Sequence, residues 1–423
     1  INFYKSFIKK CNYWNFIMLN NKLPEFCGNK LDNLSQKLKY LCEAGYYEDI
    51  AYEVGCNYKD QPRVMHRKFF GSGALKNKGN SVWRIYSMTK PVVSVVALAL
   101  VDEGKLRLFD HVARFLPDLK TPRVLISKGA KKEYISTTVP MTIFHLLTHT
   151  SGLTYGFLNG LVANIYREEK IHFDGLLSLE DEVKKIAKLP LVFEPGTNWH
   201  YSVATDVLAY ILELVSGLTL PELLKKYVFN KLGMNQIGFD VPPNKIKNLI
   251  KCYGSKDIFE SFPKERISDI FSNNPKLEEV NSFLSYPSRS EGKFSRGGHG
   301  LFSTISDYGL FAASMLNGLK GILSRKSMEF MLQDHTLSSM KPLIINPILT
   351  KPNEGLQGYG FGFGVRIRGK GNTALSMGSE GEFGWAGAAE TYFLVDPKEN
   401  FYAVFMAQNL DQPGGSSLFK QLL

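Results

Sequence analysis

The chain has 423 residues, 44% of them hydrophobic and 22% charged, with a formal net charge of +11. These proportions suit one large folded domain or two to three ordinary ones, and exclude a disordered or collagen-like polymer. The positive excess is spread along the chain, and its densest cluster (Lys128, Lys131, Lys132) falls in a predicted loop without helix-turn-helix, zinc-finger or RNA-binding signatures. It reads as solvated surface, and no nucleic-acid partner is expected.

Residues 1–30 are rich in Lys, Asn and aromatics without periodicity, and are expected to be peripheral to one domain over 31–423. Lys5, Lys9 and Lys10 are followed by Asn12, Asn15, Asn20 and Asn21, which break up any signal-peptide core. The sequence starts on Ile1, with Met18 a candidate initiator. Five cysteines (Cys11, Cys27, Cys42, Cys56, Cys252) lack paired spacing, which argues against a disulfide framework and for a reducing, cytoplasmic compartment. The longest apolar run, 92–101, is too short to cross a bilayer and reads as a buried helix, so no stable membrane insertion is expected.

Leu34, Leu38, Leu41 and Ala44 predict a helix over 34–48, ending near Gly45. Residues 50–86 are expected to form short strands, with turns at Gly71 and Lys78-Gly79-Asn80. A long apolar helix follows Ser87 and stops at Gly104; Pro91 is tolerated in its first turn, where a missing N–H costs little. The stretch 140–230 is predominantly helical, with helices predicted over 141–148, 201–216 and 221–227. Pro242, Pro243, Pro263, Pro275 and Pro287 punctuate 240–290, a predicted lid-like insertion within a helical subregion of about 110–290. A helix over 306–317, strands over 362–367, 387–395 and 401–406, and a last helix over 417–422 complete the chain. Helices in the middle with strands at both ends predict an α+β protein whose sheet joins the two ends.

Ser87-Met88-Thr89-Lys90 lies where an aromatic, strand-like run (82–86) meets the apolar helix. Three residues apart on a helix, Ser87 and Lys90 share a face, and the helix N-terminus favours a developing anion. A serine hydroxyl needs a neighbouring base to become a nucleophile, and an adjacent amine supplies one. Alone, the four residues are weak evidence and read better as a helix start with Ser87 as N-cap. Four further segments accompany them in order: Leu146-Leu147-Thr148-His149-Thr150-Ser151-Gly152-Leu153; Phe193-Glu194-Pro195-Gly196-Thr197-Asn198-Trp199-His200-Tyr201-Ser202; Gly297-Gly298-His299-Gly300-Leu301-Phe302-Ser303-Thr304, leading into Asp307; and 378–390 with Gly384-Trp385-Ala386-Gly387-Ala388.

Together these segments resemble the serine β-lactamase and penicillin-binding-protein-like superfamily, nearest its class C-like esterase branch, the family VIII carboxylesterases. The resemblance runs from about residue 80 to 410. It implies a β-lactamase/transpeptidase-like fold: an antiparallel sheet flanked by helices, a mostly helical second region, and an active site in the cleft between them. It implies Ser87 as nucleophile, Lys90 as its hydrogen-bonded partner, and Tyr201 as general base or proton relay. Tyr201 acts as a base only if nearby cations such as Lys90 favour its phenolate. The backbone N–H groups of Ser87 and Ala388 would form the oxyanion hole. Trp385, Ala386 and Gly387 would border the substrate, without cofactor or metal.

Two departures bear on the substrate. Where penicillin-binding enzymes usually carry Lys-Thr-Gly, this chain has Trp385-Ala386-Gly387, which removes a charge for a substrate carboxylate. The usual Tyr-x-Asn is Tyr201-Ser202-Val203. An uncharged small-molecule acyl ester is therefore the expected substrate, ahead of a β-lactam, a D-alanyl-D-alanine peptide, acyl transfer or a catalytically silent scaffold. His145 and His149, four residues apart, lack the Glu of a zinc-protease helix and are expected to serve packing and hydrogen bonding. Trp385 is balanced between core packing and an acyl-pocket wall. His299 reads as structural, His200 is open, and Gly297, Gly298 and Gly300 mark a tight turn or close backbone approach.

Overall fold

The structure, a computed structural model, describes residues 28–128, 131–171, 177–253, 278–280, 295–340, 358–370, 374 and 377–410. Most of the expected 240–290 insertion, the expected helix at 417–422, and Cys11 and Cys27 lie outside them. Cys42 and Cys56 are free thiols.

The α-helices of five residues or more are α1 (Gly28–Glu43), α2 (Ser72–Asn77), α3 (Thr89–Asp102), α4 (Ile143–Leu147), α5 (Leu161–Glu168), α6 (Leu179–Ile186), α7 (Ala204–Ser216), α8 (Leu220–Leu224), α9 (Ile305–Leu316) and α10 (Arg325–Met331). The strands are β1 (Ile50–Tyr58), β2 (Gln61–Phe70), β3 (Trp83–Arg84), β4 (Arg123–Lys128), β5 (Lys131–Ser136), β6 (Phe302–Ser303), β7 (Tyr359–Phe361), β8 (Arg366–Arg368), β9 (Phe383–Gly387), β10 (Thr391–Asp396) and β11 (Phe401–Met406). Seven form one sheet in the order β2-β1-β11-β10-β9-β8-β7, and each pairing is antiparallel. The sheet thus joins the two ends of the chain, as the sequence predicts.

Alternation along the central strands buries both faces. Tyr402, Val404 and Met406 of β11 and Phe393 and Val395 of β10 face the main core, where α9 packs on β11, β1 and β10. Ala403, Phe405, Tyr392 and Leu394 face the other way, with Leu34 and Leu38 of α1. The second region is a helical cluster around α7, which touches α3, α4, α6 and α8. Helix α3 is buried nearly all round. Its valines are poor helix formers, so burial rather than intrinsic propensity holds it. Gly104, at φ +71°, takes the left-handed turn that ends it.

Several local expectations are corrected. A helix, α2, follows β2, where only strands and turns were expected. Lys128, Lys131 and Lys132 sit on the β4–β5 hairpin rather than in a loop; their side chains are exposed, so the hydrophobic pattern carried no strand signal. The run 387–395 is not one strand: Gly387 ends β9, a turn follows, and β10 starts at Thr391. The helix expected from Tyr201 begins at Ala204, leaving Tyr201 in the approach to it.

Candidate active site

The site is built where β3, β9 and the start of α3 meet. Strand β3 pairs with β6 through Trp83↔Ser303 and Arg84↔Phe302, and the Ile85 N–H donates to Leu301 O at 3.0 Å. The chain then turns sharply. Tyr86 adopts φ +43°, a strained conformation for a bulky residue, and a 3-10 turn (Tyr86–Met88) delivers Ser87 to the foot of α3. The turn is pinned by the Tyr308 hydroxyl donating to Met88 O at 2.8 Å and the Leu301 N–H donating to Thr89 Oγ1 at 3.2 Å. Ser87 is half-buried and keeps an open side.

Lys90 is fully buried. Its Nζ donates to Ser87 Oγ at 3.1 Å and to Gly298 O at 2.7 Å. It lies 4.6 Å from the ring centre of Tyr201 and 5.3 Å from that of Tyr155. Burial pushes its pKa down from 10.5 to about 7, against the opposing pull of the Asp206 carboxylate. A substantial neutral fraction at physiological pH is what a proton acceptor needs.

Tyr201 is 6% exposed, with its hydroxyl hydrogen-bonded to the Ser87 side chain. It also accepts the Trp385 Nε1–H at 3.4 Å. Burial drives its pKa well above the ordinary phenol value, and the bonds to Ser87 and Trp385 only partly oppose this. Desolvation outweighs the bonds that favour the phenolate, so the condition for Tyr201 to act as a base is not met in the resting site. Behind it stands His149, ring centres 4.9 Å apart, at φ +55° with Nδ1 3.2 Å from Ser202 Oγ. Burial holds that imidazole neutral.

Strand β9 closes the other side. Gly387 sits so tightly that a Cβ would overlap Ile85 O and Thr391 Oγ1, and the Thr391 hydroxyl donates to Ile85 O at 3.2 Å. Only glycine lets the strand end press against the turn that carries Ser87. Ala388, the next residue, is exposed at that same end. Trp385 is 3% exposed and packs on Tyr201 and Phe361, with ring centres 5.5 and 5.2 Å away. It is a core residue that also bonds the tyrosine.

On the third side Gly297 and Gly298 approach α7 closely: a Cβ on Gly297 would strike Thr205 O and Ala209 Cβ. The Gly298 N–H donates to Asp206 Oδ1 at 2.9 Å, and His299 Nδ1 lies 3.9 Å from that oxygen. His145 and His200 make hydrogen bonds away from Ser87. His145 Nδ1 accepts the Thr142 N–H in a capping box, and His200 Nε2 meets Thr154 Oγ1 at 2.8 Å. Among the described residues, no group of three or more His, Cys, Asp or Glu side chains is arranged to hold a metal ion, and no single helix is long and apolar enough to cross a membrane.

Ser87, Lys90, Tyr201 and Trp385 thus lie together at this junction. Sequence reading missed Asp206 and Tyr155. A carboxylate in the first turn of an otherwise apolar helix is a signal for Asp206, since such a group is buried only with partners. Tyr155 offered none.

An antiparallel sheet beside a helical cluster, with a serine-lysine-tyrosine cluster at their junction, defines a β-lactamase-like serine hydrolase. The chain belongs to the Beta-lactamase family, whose model matches residues 59–418. Protein Rv1367c of Mycobacterium tuberculosis is 29% identical over 391 residues, 90% of each chain. Esterase EstB of Burkholderia gladioli is 37% identical over 164 residues, 38% of this chain and 39% of the esterase. Among solved structures, EstCE1, a hydrolase with promiscuous acyltransferase activity, superposes with a TM-score of 0.73 at 22% identity, over 93% of this chain and 97% of EstCE1. That likeness concerns the fold.

Proposed function

We propose that the chain is a serine carboxylesterase acting on uncharged small-molecule acyl esters through an acyl-enzyme on Ser87. One observation carries the reading: a fully buried Lys90, its pKa near 7, is hydrogen-bonded to Ser87 Oγ at 3.1 Å. Neutral Lys90 takes the Ser87 proton as Oγ attacks the acyl carbon. The oxyanion rests on the backbone N–H groups of Ser87 and Ala388. As the tetrahedral intermediate collapses, Tyr201 passes its proton to the departing alkoxide and is reprotonated from Lys90. Water then enters, loses a proton along the same path and releases the acid.

The substrate class follows from β9. Trp385, Ala386 and Gly387 present no cation for a substrate carboxylate, which favours neutral esters over β-lactams. The same acyl-enzyme passes its acyl group to an alcohol when one outcompetes water, and the esterase and acyltransferase names among the relatives support both outcomes.

Hydrolysis of p-nitrophenyl butyrate by wild type and Ser87→Ala, side by side, tests this reading. Turnover by wild type alone supports it, and equal turnover by both overturns the role of Ser87. Inactivity of both against a panel of esters, with no mass gain from an activated ester, points to a silent scaffold.

A further inference from the structure

We propose that Asp206 is the positioning residue of this site: its carboxylate clamps Gly298, and the clamped Gly298 carbonyl holds Lys90 against Ser87. The inference rests on the reading of Lys90 as the proton acceptor and adds what keeps it in place. Three linked contacts support it. Asp206, fully buried in the first turn of α7, accepts the Gly298 N–H through Oδ1 at 2.9 Å. The carbonyl of that same residue accepts Lys90 Nζ at 2.7 Å, and Nζ reaches Ser87 Oγ at 3.1 Å. The fit around Gly298 is tight from both sides: a Cβ there would come within 2.6 Å of Asp206 Oδ2 and 2.9 Å of the Tyr155 hydroxyl.

A flexible lysine has no reason of its own to point at one hydroxyl. Its chain loses rotamer freedom when it is ordered, and ordering it needs a fixed acceptor. The carboxylate fixes that acceptor, and its charge favours the ammonium that forms when Lys90 takes the serine proton. The other groups facing this pair are Ser87, the phenols of Tyr201 and Tyr155, and the imidazoles of His149 and His299. The two phenols and His149 are buried. Burial keeps Tyr201 protonated and His149 neutral. Asp206 acts on Lys90 through Gly298 and through its field.

Asp206→Asn keeps an acceptor for the Gly298 N–H and removes the charge; Asp206→Ala removes both. The proposal expects the acid limb of kcat/KM for p-nitrophenyl butyrate to move to lower pH in Asp206→Asn. It expects kcat to fall on the order of a hundredfold in Asp206→Ala with KM little changed, as for loss of proton-transfer geometry. An independent reading uses the Lys90 ¹³Cε resonance, assigned by its loss in Lys90→Met and titrated in wild type and Asp206→Asn. Its midpoint should be lower in the variant, whether or not this ester is the substrate. If the esterase reading fails, wild type and Ser87→Ala will be equally inert while the Lys90 titration still shifts. An unmoved Lys90 midpoint in Asp206→Asn overturns the proposal. So does a limb that moves in His299→Asn but not in Asp206→Asn.

Discussion

At the residue scale, the site depends on a charge the fold resists. The folded-state pKa of Lys90 is depressed from 10.5 to about 7. Above pH 10.5 the lysine is neutral in both states. As pH falls towards 7 the unfolded chain binds a proton that the native state refuses, so stability is lost across that window and levels off below it. Between pH 9 and pH 6 this amounts to roughly 2–3 kcal/mol. Lys90→Met should therefore abolish ester turnover while gaining stability relative to wild type, by more at pH 6 than at pH 9. Thermal melts at the two pH values check this, and an equal difference at both would deny Lys90 its depressed pKa. The same shift predicts that wild-type kcat/KM rises with pH through an apparent pKa near 7. Tyr201→Phe should lower kcat by about 10²–10⁴-fold with a small change in KM, because it removes a proton carrier and leaves the ring in place. Steady-state kinetics against butyrate esters would reveal a phenol that matters only for packing, since kcat would then stay near wild type.

At the element scale, β9 and the Ser87 turn are made to touch by the absence of a side chain. Gly387→Val would push the strand end away from Ile85 and Thr391 and carry the Ala388 N–H with it. Loss of one oxyanion donor costs about 10²–10³ in kcat. The variant should lose at least that much while the Lys90 titration stays where it was. Hydrolysis kinetics combined with the ¹³Cε titration separate a displaced strand from a collapsed site. This element was only partly legible in sequence. The continuous apolar runs of 401–406 and after Ser87 marked β11 and α3 because burial dictates both. The turn between β9 and β10 left no such mark, because Ala388 and Ala389 are as hydrophobic as the strands around them. The strand carrying Lys131 and Lys132 was hidden for the opposite reason, being exposed along its whole length.

At the scale of the whole molecule, long-range contacts complete what local pattern starts. Ser87 and Lys90 were legible because helical geometry brings residues three apart together. Asp206 and Gly298 were not read as a pair because 92 residues separate them and only the packing of α7 unites them. The adjoining Arg296 is completely buried, donating to Glu182 Oε2 at 2.9 Å and to Leu177 O at 2.7 Å, which ties the glycine segment to α6. Glu182→Ala would take the carboxylate from a buried guanidinium and should cost about 3–5 kcal/mol. Urea unfolding measures this, and a loss below 1 kcal/mol would mean that water or another group takes over the cation.

The strand order has a consequence for how the protein is made. Strand β11 lies between β1 and β10, and its Tyr402 bonds Glu53 of β1 from 349 residues away. A ribosome adding about 5–20 residues per second emits β1 roughly 20–70 s before the strand that fills the slot beside it. Through that interval the nascent chain displays an open, apolar strand edge, the kind of template that recruits the wrong neighbour. The burden of avoiding misassociation therefore falls on the moments before β11 arrives, and on whatever holds that edge apart in the meantime.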